Sequence, residues 1–175
     1  MSTQFPLLFS PIKVGGITLR NRIVNAAHGT GFTKNHRFTD QHLFYYLERA
    51  RGGAAMIITE NASVHPTSNI GTQDTLWGWD PAIVSDYRRL SDQIHASGCH
   101  ILIQLSHQGR QSGNVEGLPR WAPSPISSKE TTYGDNEVPH QMYKGEILEM
   151  VEAFATCAAL AKQGGMDGIE LHAGH

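Results

Sequence analysis

Four short apolar runs punctuate this chain, at residues 23–27, 54–59, 100–105 and 168–171, each bounded by glycine or polar residues. Their length and lack of alternation predict strands buried on both faces. Between the runs, apolar positions fall at helical spacing. Leu43, Leu47 and Ala50 make one stripe within a helix predicted over 40–51. Ile83, Tyr87, Leu90 and Ile94 make a second, at intervals of four, three and four. Punctuation agrees with this division. Thr39 or Asp40 is placed to cap the first helix and Gly52-Gly53 to end it. Asp80 caps the second, Pro81 occupies its first turn, where a missing N–H costs nothing, and Gly98 closes it. A third helix is predicted over 146–163. Glu146, Glu149 and Glu152 lie early in it and Lys162 late, as the helix dipole favours, and Gly164-Gly165 leads to the last run.

Ahead of the first run, Gly15-Gly16 separates two short apolar pieces, a hairpin signal that predicts a small lid over one end of the domain. Residues 111–143 carry Pro119, Pro123, Pro125 and Pro139 and no periodicity. A long loop of that kind is expected to act as a lid, with Trp121 and Tyr133 to pack it. The order is therefore strand, helix, strand, helix, strand, helix, strand. That order means parallel strands with helices outside, an α/β fold. It fits a barrel or an open doubly wound sheet equally well. The absence of a Gly-x-Gly-x-x-Gly after the first strand counts against a dinucleotide-binding open sheet.

Composition narrows the classes. The chain has 175 residues, 39% hydrophobic and 17% charged, enough for one domain with a real core. A net charge of −2 without a Lys/Arg cluster argues against a nucleic-acid partner. No apolar run reaches the ~18 residues that span a bilayer, and the first residues lack a signal-peptide pattern. The two cysteines, Cys99 and Cys157, read as buried thiols in a reducing, cytoplasmic setting.

Chemistry concentrates just after the strands. His172 and His175 follow the last run, where an α/β barrel builds its active site. A His-x-x-His metal site is disfavoured, because the helical His-Glu-x-x-His context and a third ligand are missing. Gln104, Asn61 and His28 also sit at or past strand ends, although a buried glutamine can simply bond the neighbouring strand. Glu60 is expected in a polar loop as a local acceptor, Trp77 and Trp79 as loop packing, and His107 and Arg110 as organisers of the rim.

Three motifs carry a resemblance. Leu19-Arg20-Asn21-Arg22-Ile23-Val24, Ile103-Gln104-Leu105-Ser106-His107-Gln108-Gly109-Arg110 and Glu170-Leu171-His172-Ala173-Gly174-His175, in that order, resemble the Old Yellow Enzyme family of NADH:flavin oxidoreductases. The branch with 2,4-dienoyl-CoA reductase and trimethylamine dehydrogenase is the most similar. The resemblance implies a TIM (β/α)8-type barrel, of which residues 1–175 are the N-terminal half: four βα units under a hairpin lid. It implies FMN across the C-terminal rim, NAD(P)H as reductant, and hydride transfer to the activated C=C of an enone or enoyl thioester. By position, backbone at Ala26, Ala27 and His28 meets the flavin. Gly29 stands where the trimethylamine dehydrogenase branch has a cysteine bonded to the flavin, so no covalent link is expected. Asn61 and Gln104 match ring contacts, and His172 and His175 match the pair that grips the substrate oxygen. The family's proton-donating tyrosine, its basic residue near the flavin and its phosphate loops match nothing in these residues. The alternative is an incomplete half-barrel that forms a homo-oligomer or pairs with a separate C-terminal half, binding flavin weakly or not at all.

Overall fold

The computed structural model describes residues 4–68, 74–113, 117–128 and 137–174. It opens on an antiparallel hairpin, β1 (Ile12–Val14) and β2 (Ile17–Leu19), turned by Gly15 at φ +56°, a conformation open to a residue without Cβ. Then follow β3 (Val24–Asn25), α1 (Asp40–Arg51), β4 (Met56–Ser63), β5 (Leu76–Trp77), α2 (Ile83–His95) and β6 (His100–Ser106). A single 3-10 turn (Gly109–Gln111) precedes β7 (Trp121–Ala122), β8 (His140–Gln141), α3 (Lys144–Gln163) and β9 (Gly168–Leu171). β3, β4, β6 and β9 lie side by side in that order, all parallel, and β5 lies along the end of β4. No helix among the described residues is long and apolar enough to cross a membrane.

Alternation sorts the strand side chains onto two faces. Ile57, Ala62, Ile101, Ile103, Leu105 and Ile169 meet the helices in the main core. The α2 stripe fills the other side: Ile83, Tyr87, Leu90 and Ile94 are fully buried, each contributing on the order of 1.5–3 kcal/mol of apolar burial. The second face begins apolar. Met56 and Ile58 pack with Ala55, Leu102 and the hairpin residues Ile12, Ile17 and Leu19, so the hairpin does close one end of the sheet. Further along, the same face turns polar, with Asn61, Gln104 and Glu170 aligned across three strands.

Between β4 and β6 the register advances from Ile58 to Asn61 on one strand and only from Leu102 to Gln104 on the other. That extra residue is a β-bulge, a device that re-aims side chains beside functional sites. Asn61 stays on the polar face, while Glu60 turns back toward α1. At the hairpin end, Arg20 donates to the carbonyls of Ala50, Ala54 and Ser97, and Asn21 donates to that of Gly53 while accepting the Ile23 N–H. The Arg-Asn of the first motif thus fastens the loops below the sheet.

Several boundaries differ from the sequence expectation. β4 runs to Ser63, so Glu60 and Asn61 belong to a strand rather than a loop; β6 and β5 both pair with this extension. β3 stops at Asn25, where its pairing with β4 ends. Asp80 begins a turn ahead of α2, its carboxylate accepting the Ala82 N–H and its carbonyl the Ile83 N–H. α3 starts at Lys144, because the Glu146 carboxylate reaches back to the Tyr143 N–H at 2.8 Å and caps an earlier turn. Residues 111–143 are not wholly irregular. β7 and β8 pair in parallel, and Trp121 stacks on His65 at 4.9 Å. Tyr133 lies outside the described residues. Trp77 belongs to β5 and lies flat on His36 at 3.7 Å, with Trp79 stacked behind it at 5.2 Å.

Candidate active site

The carboxyl ends of β3, β4, β6 and β9 bring four segments to one rim, the end at which barrels of this kind carry their chemistry. The polar layer sits there. Gln104 donates from Nε2 to Glu170 Oε1 at 2.7 Å. Asn61 donates from Nδ2 to Ser106 Oγ at 2.8 Å, and Gln108 donates to the same hydroxyl at 3.3 Å. His172 follows β9, its N–H still bonded to the Leu105 carbonyl at 2.9 Å, so alternation puts it on the face of Glu170. Its imidazole is half-buried. A Cβ on Gly174 would come within 3.2 Å of its Cε1, so the glycine lets the chain pass close to the ring. His175 lies outside the described residues.

On the β3 side, Ala26, His28 and Gly29 are exposed and Ala27 packs against the apolar part of the same face. No atom lies within 4 Å of where a Gly29 Cβ would stand. The His28 side chain turns away from this space. Its Nε2 meets the Tyr45 hydroxyl at 2.6 Å, and the Arg49 guanidinium lies over the Tyr45 ring, 3.2 Å from its centre. His28 therefore offers the rim its backbone.

Glu60, expected as a local acceptor in a loop, is an acceptor, but on a strand and for distant partners. It is 5% exposed and accepts from Thr30 N–H at 2.5 Å, Thr30 Oγ1 at 2.7 Å, Thr33 Oγ1 at 2.9 Å and His42 Nε2 at 2.8 Å. Burial opposes its ionisation, yet the donors of His42 and Thr30 outweigh that and hold the carboxyl down at about 2. Its partners had a signal: His42 and Tyr46 lie along the apolar stripe of α1, where polar rings need a buried partner.

The outer rim is tied by histidines. Burial, with the nearby His65, pushes the His107 imidazole down to about 4, so it is neutral at ordinary pH. Its Nδ1 accepts the Gly109 N–H at 3.0 Å, which leaves Nε2–H for Thr67 Oγ1 at 2.9 Å, and Thr67 in turn meets His65 at 2.8 Å. His107 thus joins two loops, while Arg110 is exposed. Among the described residues, no group of three His, Cys, Asp or Glu side chains is placed to hold a metal ion.

A flat heterocycle with an imide edge needs open room, accessible backbone and amide partners. The exposed residues Ala26, His28 and Gly29, the space before Gly29 and the amides of Asn61 and Gln104 offer all three. Glu170 engages Nε2 of Gln104, which leaves its carbonyl oxygen as the acceptor that an imide N–H requires. These residues fit FMN.

The profile of the NADH:flavin oxidoreductase / NADH oxidase family matches residues 7–175. A metal reductase of Desulforamulus reducens is 38% identical over 94% of this chain and 24% of its own length. An NADPH dehydrogenase of Bacillus velezensis is 36% identical over 96% of this chain and 48% of its own. The fold superposes on morphinone reductase in complex with tetrahydroNAD with a TM-score of 0.87 and 27% identity, over 96% of this chain and 49% of that one. An Old Yellow Enzyme homologue from Zymomonas mobilis gives 0.82 and 28%, over 96% and 48%. The chain spans a quarter to a half of the length of these relatives, and its βα units form part of a TIM barrel. By sequence and by fold alike, it belongs to the NADH:flavin oxidoreductase / NADH oxidase family.

Proposed function

We propose that residues 1–175 are the N-terminal half of an FMN-binding TIM-barrel domain, in an NAD(P)H oxidoreductase that reduces activated C=C bonds. The observation that carries this reading is the polar layer at the rim, where Asn61 stands in register with Gln104 and lines one cavity with Gly29. Bound FMN supplies a two-electron carrier between NAD(P)H and substrate. The chain's own residues bind and orient. Backbone at Ala26, Ala27, His28 and Gly29, with the amides of Asn61 and Gln104, holds the ring; Gly29 has no thiol, so the hold is non-covalent. His172 and His175 donate hydrogen bonds to the carbonyl oxygen of an enone or enoyl thioester. Those donors stabilise the negative charge that oxygen gains as the β-carbon is reduced.

A second reading draws on the sheet edges. Among the described residues β3 pairs only with β4, and β9 only with β6, while Val24 is 39% and Leu171 61% exposed. Open parallel edges with apolar side chains favour a second copy or a complementary C-terminal half as cover. One preparation separates the readings. Purified chain titrated with FMN should take it up in near one-to-one ratio, lose its yellow colour with NADPH or NADH, and regain it with an enone. A chain that keeps no yellow colour once unbound FMN is removed and runs as an oligomer overturns the first reading in favour of the second.

A further inference from the structure

We infer that Glu60, held by His42, is the positioning residue for the rim segment 29–33, and that its carboxylate gives this segment the shape that meets the ring. The inference rests on the flavin reading above and adds a residue to it. Segment 29–33 needs an external anchor. Gly29 and Gly31 have no atom within 4 Å of a Cβ position, and Gly31 sits at φ +70°, so neither glycine fixes the backbone by packing. Phe32 packs edge-on against His42 and Tyr45, and the backbone around Thr30 and Thr33 is tied by hydrogen bonds to one buried carboxylate.

The geometry is specific. Oε2 of Glu60 takes both the N–H and the hydroxyl of Thr30, and Oε1 takes the hydroxyl of Thr33 and Nε2 of His42. Behind the carboxylate, His42 is fully buried. Its Nδ1 accepts the Thr39 N–H at 3.0 Å, so the ring proton sits on Nε2 and the imidazole donates to Glu60. Thr39 Oγ1 donates to the Phe32 carbonyl at 3.0 Å and fastens the segment's far end to the start of α1. The Glu60 N–H itself donates to the Tyr46 hydroxyl at 2.9 Å. One cap of α1 and one residue of β4 therefore grip the segment at both ends.

The bulge completes the argument. It points Glu60 toward α1 while the next residue, Asn61, stays on the ring-facing side. A small cavity of ≈ 50 Å³ lined by Gly29, Gly31, Thr33, Glu60 and Asn61, among others, lies where these groups meet. Packing of α1 against β4 through Leu47, Ala50 and Ile57 does not pass through the carboxylate, so the fold can survive its loss.

The test uses the full chain with Glu60→Gln, which keeps the shape but replaces one acceptor oxygen with a donor. Amide hydrogen exchange without flavin reads the anchor. Thr30 should exchange about tenfold faster or more in the variant, with Ile101 and Ile103 unchanged. FMN affinity should fall about tenfold. At saturating FMN, the visible band of the bound flavin should differ in shape from wild type, which a merely less stable chain would not produce. Thr30→Val, which removes one donor and leaves β4 intact, should move all three readouts the same way by less, and serves if Glu60→Gln does not fold. Unchanged Thr30 exchange overturns the inference; so does faster exchange with unaltered affinity and band. A wild-type chain that binds no FMN sinks the flavin reading instead, and Thr30 exchange then decides the anchor alone.

Discussion

The two ends of the parallel sheet are held together by different means. At the hairpin end, Leu19, Met56 and Ile58 meet through apolar contact, and the polar groups, Arg20 and Asn21, reach main-chain carbonyls. At the rim, side chains bond side chains: Gln104 to Glu170, Asn61 to Ser106, and Glu60 to Thr30, Thr33 and His42. Carbonyl partners are offered by any sequence, whereas side-chain partners must be matched residue by residue. The fastening of the hairpin end therefore tolerates changes in its partners, whereas that of the rim depends on the identity of both residues in each pair.

The largest effect should come from the hairpin end. Leu19→Ala removes a side chain only 2% exposed, and unfolding in urea should show a loss of about 2–5 kcal/mol. FMN affinity of the folded fraction should stay at the wild-type value; a parallel collapse would erase the contrast between the ends. Next comes acid. The Glu60 carboxyl is depressed from 4.5 to about 2, so its contribution is full above about 4.5 and disappears as pH falls through about 2. It amounts to something on the order of 3 kcal/mol, and acid titrations of stability should show Glu60→Gln without that limb. His107 adds a slope of similar size at higher pH. Its imidazole is depressed from 6.5 to about 4, so the unfolded chain takes up the proton first and stability declines as pH falls from about 6.5 to 4. His107→Gln should flatten that part of the same titration.

Smaller effects sharpen the rim. Gln104→Leu should weaken FMN binding about tenfold, near 1.4 kcal/mol, in an equilibrium titration. Gly29→Ala should shift stability by less than about 0.5 kcal/mol in thermal unfolding, since its Cβ would meet nothing within 4 Å. A large loss there would mean that the space before Gly29 is filled in solution.

Much of the scaffold was legible because glycines and caps announce it. α1 spans the expected 40–51, with Thr39 before it and Gly52 after it, and β9 spans the expected 168–171. What escaped lies where partners are distant or hidden. A carboxylate directly after an apolar run reads as the start of a loop, and nothing local reveals that His42 waits for Glu60 across 18 residues. The bulge is equally silent, since period-two alternation contains no mark for one added residue. The Arg20-Asn21 pair was visible as a motif, but its acceptors are carbonyls, which leave no trace in residue identity. Gln104 is expected at a strand end and Asn61 in the loop past one, and the structure brings them into register; Glu170, quoted only as part of a motif, holds Gln104.

One added residue in β4 also changes how its wall can vary. An unbroken strand locks every side chain to a single parity, so sliding it by one position would exchange inside for outside along its whole length. With the interruption between Ile58 and Asn61, the apolar floor below and the polar lining above keep separate parities. Each stretch can then accept substitutions suited to its own neighbours without dragging the other out of phase.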